Sequence, residues 1–163
     1  MPRWADRARK AFKRSPSSFV AKTLEETVAE AKSVARDLQF IIESSGTGVD
    51  REIGYDDESL QLVERIYRTA ARSPASIELG IDNFERLLSL YLGQSLVERD
   101  AGAWARYEGK EHVIFPITIR LRTGKHVDVF LFCKSLHQKQ VNGTLSGRAL
   151  TTFLADVDRL AFP

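Results

Sequence analysis

The sequence predicts an α+β fold in which a run of helices precedes a small antiparallel sheet. Apolar residues recur at three- and four-residue steps up to Gly102, and at every second residue beyond it. Helices first and strands afterwards are typical of α+β domains. The length of 163 residues and the 43% hydrophobic content suit one globular domain. We therefore expect four N-terminal helices, a three-stranded antiparallel meander and a C-terminal helix packed on one face of the meander.

The first residues form a basic segment, which we predict to be a helical arm beside the main domain. Trp4, Ala8 and Phe12 recur at helical steps. The arm, residues 1–15, holds six basic side chains and one acidic side chain, a net charge of +5. Such a helix could lie on nucleic acid or on a membrane surface. Residues 16–163 then form a single α+β domain.

Three longer helices are expected after the arm. Thr23 and Glu26 have the spacing of a capping box, and a continuous apolar stripe follows them. The next helix begins with the acidic run 56–58, which the positive end of a helix dipole favours. The last of the three contains Gly93, which costs about 1 kcal/mol relative to alanine inside a helix. A glycine tolerated there indicates the close approach of another element.

Three strands and one more helix complete the predicted fold. They are strands over Trp104–Tyr107, His112–Arg122 and Val127–Lys134, a polar loop over His137–Gly143, and a helix over about Gly147–Leu160. Pro116 cannot donate to a strand ladder, which predicts an edge or a bulge at that point. The third strand is apolar on both faces apart from Asp128, which indicates a central position.

Composition excludes several classes of protein. No run of about 18 apolar residues is present, so we predict no membrane span. No apolar stretch with a small-residue cleavage site follows the basic N-terminus, so we expect no secretory signal. The single cysteine, Cys133, cannot form an intrachain disulfide. Together these features predict a cytoplasmic protein.

The formal net charge of +2 conceals an uneven distribution along the chain. Beyond the arm, residues 15–98 hold eight basic and fifteen acidic side chains, a balance of −7. Residues 99–163 hold ten basic and six acidic side chains, a balance of +4. An asymmetry of this kind can mark a surface that binds a partner.

No catalytic or metal-binding motif is evident. A Cys133 nucleophile would need His126 or His137 as its base, and His126 falls on the opposite face of the same predicted strand. His137 lies beyond that strand and stays the alternative base. His126 and Asp128 share a face, but two ligands do not make a zinc site. We predict no enzyme activity, no metal and no cofactor.

The strands carry a coherent set of cations. Arg120 and Arg122 fall on one strand face, and Arg106 or Lys134 could supply a second row. Such a face could bind phosphates or the acidic rim of a protein partner. Aromatic residues that would stack on bases are not interleaved with these arginines, so nucleic-acid recognition by the sheet is not favoured.

The second half of the chain resembles a set of small bacterial domains. The residues that carry the resemblance are Tyr91-Leu92-Gly93, Gly102-x-Trp104 and the apolar strand around Val113-Phe115-Pro116. In those domains a Y-L-G-E helix is followed by G-G-x-W and by a short sheet that a C-terminal helix closes. Some members are suspected immunity proteins, which neutralise the toxins of interbacterial competition systems.

The resemblance covers about residues 82–163, and the chain departs from the pattern twice. Gln94 stands where an acid is usual, and a single glycine stands where the pattern has a pair. The resemblance implies that Tyr91, Gly93 and Trp104 are contacts between helix and sheet, and it implies no catalytic residue.

We therefore predict a non-catalytic binding protein, namely an immunity protein that neutralises a cognate toxin or effector domain by binding it directly. The candidate partner-binding residues are an acidic belt, Asp50, Glu52, Asp56, Asp57 and Glu58, and the arginines Arg106, Arg120 and Arg122. The belt is preferred because a nuclease toxin must be basic to hold its substrate. The alternative is a protein that binds nucleic acid or an anionic surface through its arm. A second copy of the chain, in a homodimer, is the other partner considered.

Overall fold

The computed structural model describes residues 23–44, 51–72, 81–109 and 115–163. In this part of the chain three helices are followed by three strands and then by two further helices. The elements are α1 (Leu24–Ser44), α2 (Asp57–Arg72), α3 (Ile81–Glu98), β1 (Gly102–Arg106), β2 (Ile117–Leu121), β3 (His126–Val127), α4 (Val129–Val141) and α5 (Ala149–Ala161). The fold is α+β, as predicted.

The number and order of the helices differ from the prediction. Four helices were expected before the strands and one after them, whereas the described chain has three before and two after. The predicted arm helix, in residues 1–15, lies outside the described residues. The additional C-terminal helix is α4, which occupies a segment predicted to be a strand and a loop.

The prediction of a strand over Val127–Lys134 is wrong for a local physical reason. β3 ends at Val127, and Asp128 then caps α4, because its Oδ1 accepts the Leu131 N–H at 2.9 Å. Burial raises the pKa of the Asp128 carboxyl above its ordinary value. A short segment made almost entirely of apolar residues is compatible with a buried helix as well as with a buried strand. The cap at Asp128 begins a helix, whose residues Val129, Cys133 and Leu136 are buried at helical spacing.

The helix α3 lies at the centre of the molecule. Every residue from Phe84 to Leu96 is buried, with α1 and α4 as the main neighbours of the helix. The hydroxyls of Ser89 and Ser95 donate to backbone carbonyls of the preceding turn, at 2.8 and 2.7 Å. A helix enclosed on all sides needs no polar face, so its small polar residues are satisfied within the helix itself.

The three strands form an antiparallel sheet in chain order, so the predicted meander is confirmed. The prediction of a central third strand is wrong: β2 is central, and β3 is an edge strand of two residues because the chain enters α4 directly after it. The C-terminal helix α5 packs mainly on α2 and α3 and not, as predicted, on a face of the meander.

Trp104 of β1 lies opposite Ile119 of β2, which lies opposite Val127 of β3. These three residues share the inner face, which packs on α3 and α4. Pro116 lies just before β2, where its carbonyl accepts the Tyr107 N–H at 2.7 Å and no ladder bond is lost.

Two local predictions are confirmed. Thr23 and Glu26 form the capping box of α1: each side chain accepts the backbone N–H of the other residue at 3.1 Å. Gly93 is covered by the ring of Trp104, which stands where a Cβ on Gly93 would have to be. Among the helices of the described residues, none combines the length and the apolar content that crossing a membrane requires.

Candidate interaction surfaces

Part of the predicted acidic belt is assembled at the start of α2, where Arg51 holds two of its carboxylates. The Arg51 guanidinium donates to both oxygens of Asp56 at 2.9 Å and also pairs with Glu58. Asp56 also caps α2, because its Oδ1 accepts the Ser59 N–H at 2.8 Å. That N–H, together with the charge of Arg51, lowers the pKa of Asp56. This part of the belt is therefore fixed in its geometry.

A second arginine joins Asp57 to a distant acid. Arg99, just beyond α3, donates to Asp57 at 2.7 Å and to Asp158 of α5 at 3.3 Å. The Nε of Arg99 and the Oδ1 of Asp158 are buried, and neither has a hydrogen-bond partner within the described structure. Arg99 thus connects the beginning of α2, the end of α3 and the end of α5.

A third arginine extends the same surface. Arg122, just after β2, donates to the carboxylate of Asp100 at 2.6 Å. Its guanidinium also lies 5.4 Å from the ring centroid of Phe162, an exposed aromatic residue near the C-terminus. Asp100 has φ of 57°, a left-handed conformation that aspartate tolerates and that turns the chain from α3 into β1.

We call this set the acidic surface. It comprises the carboxylates of Glu52, Asp56, Asp57, Glu58, Asp100 and Asp158 and the guanidinium groups of Arg51, Arg99 and Arg122. Six carboxylates against three guanidinium groups leave three negative charges. Asp50 of the predicted belt lies outside the described residues.

Four carboxylates of the acidic surface were predicted from the sequence as members of one acidic belt: Glu52, Asp56, Asp57 and Glu58. The other members of the surface were not assigned to it. Asp100 and Asp158 come from segments far along the chain, and Arg122 was assigned to a basic face of the sheet. No spacing in the sequence relates these residues: the pairing of β1 with β2 brings Arg122 to Asp100, and helix packing brings Asp158 to Arg99. The ion pairs of Arg122 and Arg99 could be recognised only from the folded chain.

The predicted double row of cations on the sheet is not formed. Arg120 lies on the outer face, in a row with Ala103 and His126. Arg106 belongs by its register to the other face, the side of Trp104, although it is exposed at the end of its strand. Lys134, the other candidate for the second row, lies on α4 and not on a strand.

The candidate nucleophile Cys133 is in the core. It lies on α4, fully buried, and burial raises the pKa of its thiol. His126 lies on β3 with its Nδ1 2.8 Å from the Thr118 hydroxyl, and its ring meets Tyr107 edge-on at 5.1 Å. The two residues are therefore on different elements and not on one strand. The side chain of His137 lies outside the described structure.

Several charged and polar side chains are buried between helices. Tyr67 of α2 donates to Glu85 of α3 at 3.2 Å, and burial, reinforced by the negative charge of Glu85, raises the pKa of Tyr67. Arg86 of α3 donates to Glu30 of α1 at 2.7 Å. In the part of the chain described, no group of three or more histidine, cysteine, aspartate or glutamate side chains is placed to hold a metal ion.

Comparison with known proteins returned nothing for this chain. No protein-family model matches it, and neither the curated proteins nor the solved structures contain a significant match. The resemblance to the small bacterial domains therefore stays a prediction. The contact that it implies between Gly93 and Trp104 is present in the structure.

Proposed function

We propose that the protein binds a basic protein partner at the acidic surface and neutralises it by direct contact, as an immunity protein does in the cytoplasm. The observation that carries this proposal is the convergence of carboxylates from three separate segments on three arginines. Charged side chains held by one another in one place favour binding, because less conformational entropy is lost on association.

The arrangement of the ion pairs directs the carboxylates outwards. The side chains of Asp57 and Asp100 are 81% and 89% exposed, whereas that of Arg99, which holds Asp57, is 25% exposed. The arginine thus lies beneath the acid that it orients, and the acid keeps free acceptor sites toward solvent. A partner with exposed lysines or arginines can use those sites.

The negative net charge of the acidic surface indicates the kind of partner that it binds. A net negative surface accelerates encounter with a basic protein and disfavours an acidic one. Nuclease domains are basic because they bind a polyanion, so a nuclease toxin or effector domain fits. The resemblance to suspected immunity proteins points to the same class of partner.

The test is binding of the protein encoded beside the gene for this chain, measured by calorimetry. The variant Asp57→Asn/Glu58→Gln removes two exposed carboxylates of the acidic surface. We expect it to weaken binding on the order of tenfold, mostly through a slower association rate, which stopped-flow mixing measures. The matched control is Glu25→Gln/Glu108→Gln, which removes two exposed carboxylates outside the acidic surface and should bind like the unmodified chain.

Equal affinity of the two double variants would overturn the acidic surface as the binding site. The alternative function predicts a different result, namely binding of a labelled single-stranded oligonucleotide that weakens steeply with salt. That binding would be lost when the arginines of residues 1–15 are replaced by glutamine, and it would be unaffected by Asp57→Asn/Glu58→Gln.

A further inference from the structure

An exposed aromatic ring adjoins the acidic surface. Three large apolar side chains are exposed in the described structure, and one of them is Phe162, which is 49% exposed. The guanidinium of Arg122, a member of the acidic surface, lies 5.4 Å from the centroid of this ring. A single exposed apolar side chain is ordinary on a protein surface, so its significance depends on the residues around it.

Phe162 is connected to the acidic surface on two sides. Its backbone N–H donates to the carbonyl of Asp158, one helical turn earlier in α5, at 2.9 Å, and Asp158 pairs with Arg99. On the other side, Arg122 joins the ring to Asp100, the residue that follows Arg99 in the chain. The aromatic ring and the carboxylates of the acidic surface therefore belong to one connected set of contacts.

The contacts of Arg122 restrict the freedom of the ring. The Arg122 backbone N–H donates to the carbonyl of Ala101 at 3.0 Å, and its guanidinium donates to the carboxylate of Asp100 at 2.6 Å. Ala161, the residue before the ring, is buried. A side chain that is already ordered loses less conformational entropy on binding, so Phe162 is prepared for contact with a partner.

Electrostatics determine which group of a partner suits each part of this region. The face of an aromatic ring attracts a cation, and Arg122 already supplies one. A second cation over the same ring would be repelled by the Arg122 guanidinium. The exposed part of the ring is therefore suited to an apolar side chain, whereas Asp57 and Asp100, whose carboxylates are largely exposed, are suited to cations.

We propose that Phe162 is an apolar anchor of the acidic surface, which contacts an apolar side chain that a basic protein partner carries among its cations. This inference deepens the proposed function and rests on it, since it adds a feature of the partner's binding segment. In protein interfaces aromatic residues and arginine are enriched, and a few such residues contribute most of the binding energy. The carboxylates then mainly set the association rate, and Phe162 mainly sets the dissociation rate.

The first test uses a probe of defined chemistry. The probe is a capped peptide in which one leucine lies between two pairs of lysines, and its counterpart carries serine in place of the leucine. NMR titration measures the dissociation constant of each peptide for the unmodified chain and for Phe162→Ser. We expect the unmodified chain to bind the serine peptide about fivefold more weakly, from the loss of buried apolar area. Phe162→Ser should bind the two peptides alike, because the leucine has lost its contact.

Leu131→Ser is the matched control, since Leu131 is 45% exposed and lies on α4, which contributes no residue to the acidic surface. This variant should keep the difference between the two peptides, and Phe162→Leu, which retains an apolar side chain, should keep most of it. No binding of either peptide, equal binding of both by the unmodified chain, or an unchanged difference in Phe162→Ser would overturn the proposal.

Binding rates of the protein encoded beside the gene separate this inference from the proposed function. With that protein, Phe162→Ser should raise the dissociation rate about fivefold and leave the association rate nearly unchanged. If Asp57→Asn/Glu58→Gln weakens binding and Phe162→Ser does not, the acidic surface is the binding site and Phe162 is not its anchor. If the encoded protein does not bind while the peptides differ as expected, the proposed partner is wrong, and the recognition of an apolar side chain among cations stands.

Discussion

At Gly93 the central helix and the sheet are in direct contact. The six-membered ring of Trp104 lies against the helix at this position, and the Nε1 of Trp104 donates to the side-chain oxygen of Gln94 at 3.2 Å. A glycine costs stability in a helix, but here the missing side chain provides the room for the ring. Gln94, which departs from the acid of the resembling domains, supplies the acceptor for the one polar atom of the tryptophan.

We expect Gly93→Ala to destabilise the protein, because its Cβ would overlap the Trp104 ring. The cost of overpacking, typically about 1–3 kcal/mol, exceeds the gain of about 1 kcal/mol in helix propensity. Urea unfolding followed by tryptophan fluorescence measures the difference. Gly54→Ala is the control, since a Cβ there would meet its nearest neighbour, Asp56, at 3.4 Å. A stabilised Gly93→Ala variant would show that the ring can move aside.

Among the elements, α5 depends most clearly on a residue of another helix. Its own N-terminal residue, Arg148, makes no capping side-chain hydrogen bond. Glu64 of α2, which is buried, accepts the Leu150 N–H at 2.9 Å and the Thr151 hydroxyl at 2.8 Å. The carboxylate thereby satisfies one of the backbone N–H donors that the first turn of a helix leaves open, and its charge complements the helix dipole.

Glu64→Ala should therefore lower the free energy of unfolding by about 2–3 kcal/mol, through the loss of two charge-assisted hydrogen bonds at a buried position. Glu64→Gln keeps one acceptor and should cost less. Chemical denaturation measures both, and hydrogen exchange at the start of α5 should rise most in the alanine variant. Glu108→Gln, at an exposed position just after β1, is the control and should change stability by less than about 0.5 kcal/mol. Equal effects of Glu64→Ala and the control would contradict the role of Glu64.

At the scale of the whole molecule, Arg99 forms ion pairs with two helices that are distant in sequence, α2 and α5. Its two ion pairs link the start of α2 and the end of α5 at the acidic surface. Because the side chain of Arg99 is largely buried, its pairs are less screened by salt than fully exposed ones. We expect the acidic surface to lose its fixed arrangement when this arginine is removed.

Arg99→Gln should lower the free energy of unfolding by about 1–2 kcal/mol, since it also leaves Asp158 partly buried without its partner. Arg159→Gln is the matched control: its pair with Asp156 is exposed at both ends, and its loss should cost less than about 0.5 kcal/mol. Urea unfolding at low and at high salt measures the free energy of unfolding of the two variants and so distinguishes their effects. The effect of Arg99→Gln should shrink only in part as salt rises, and a complete loss of the effect would indicate an ordinary surface pair.

Much of the architecture could be predicted from the chain. The α+β class, the capping box at Thr23, the helix that contains Gly93 and the antiparallel meander all follow from local periodicity and end signals. The structure of the segment after Val127 could not be predicted in this way. A segment that is apolar on every side shows neither the hydrophobic period of a strand nor that of a helix. Its strand prediction was wrong, and the cap at Asp128 is the only local signal of the helix.

The sequence by itself determined the helices α1, α2, α3 and α5 and the antiparallel meander, but not the helix α4. It also determined that charge is unevenly distributed along the chain. Only the tertiary structure decided which of the charged side chains form ion pairs with one another. Arg122 pairs with an acid 22 positions away, and Arg99 with one 59 positions away, so no local pattern could reveal either contact. Ion pairs depend on distances in space, which packing sets after the elements have formed. The same packing turns Arg106 and Arg120 to opposite faces of the sheet and sets the acids of three helix ends on one surface.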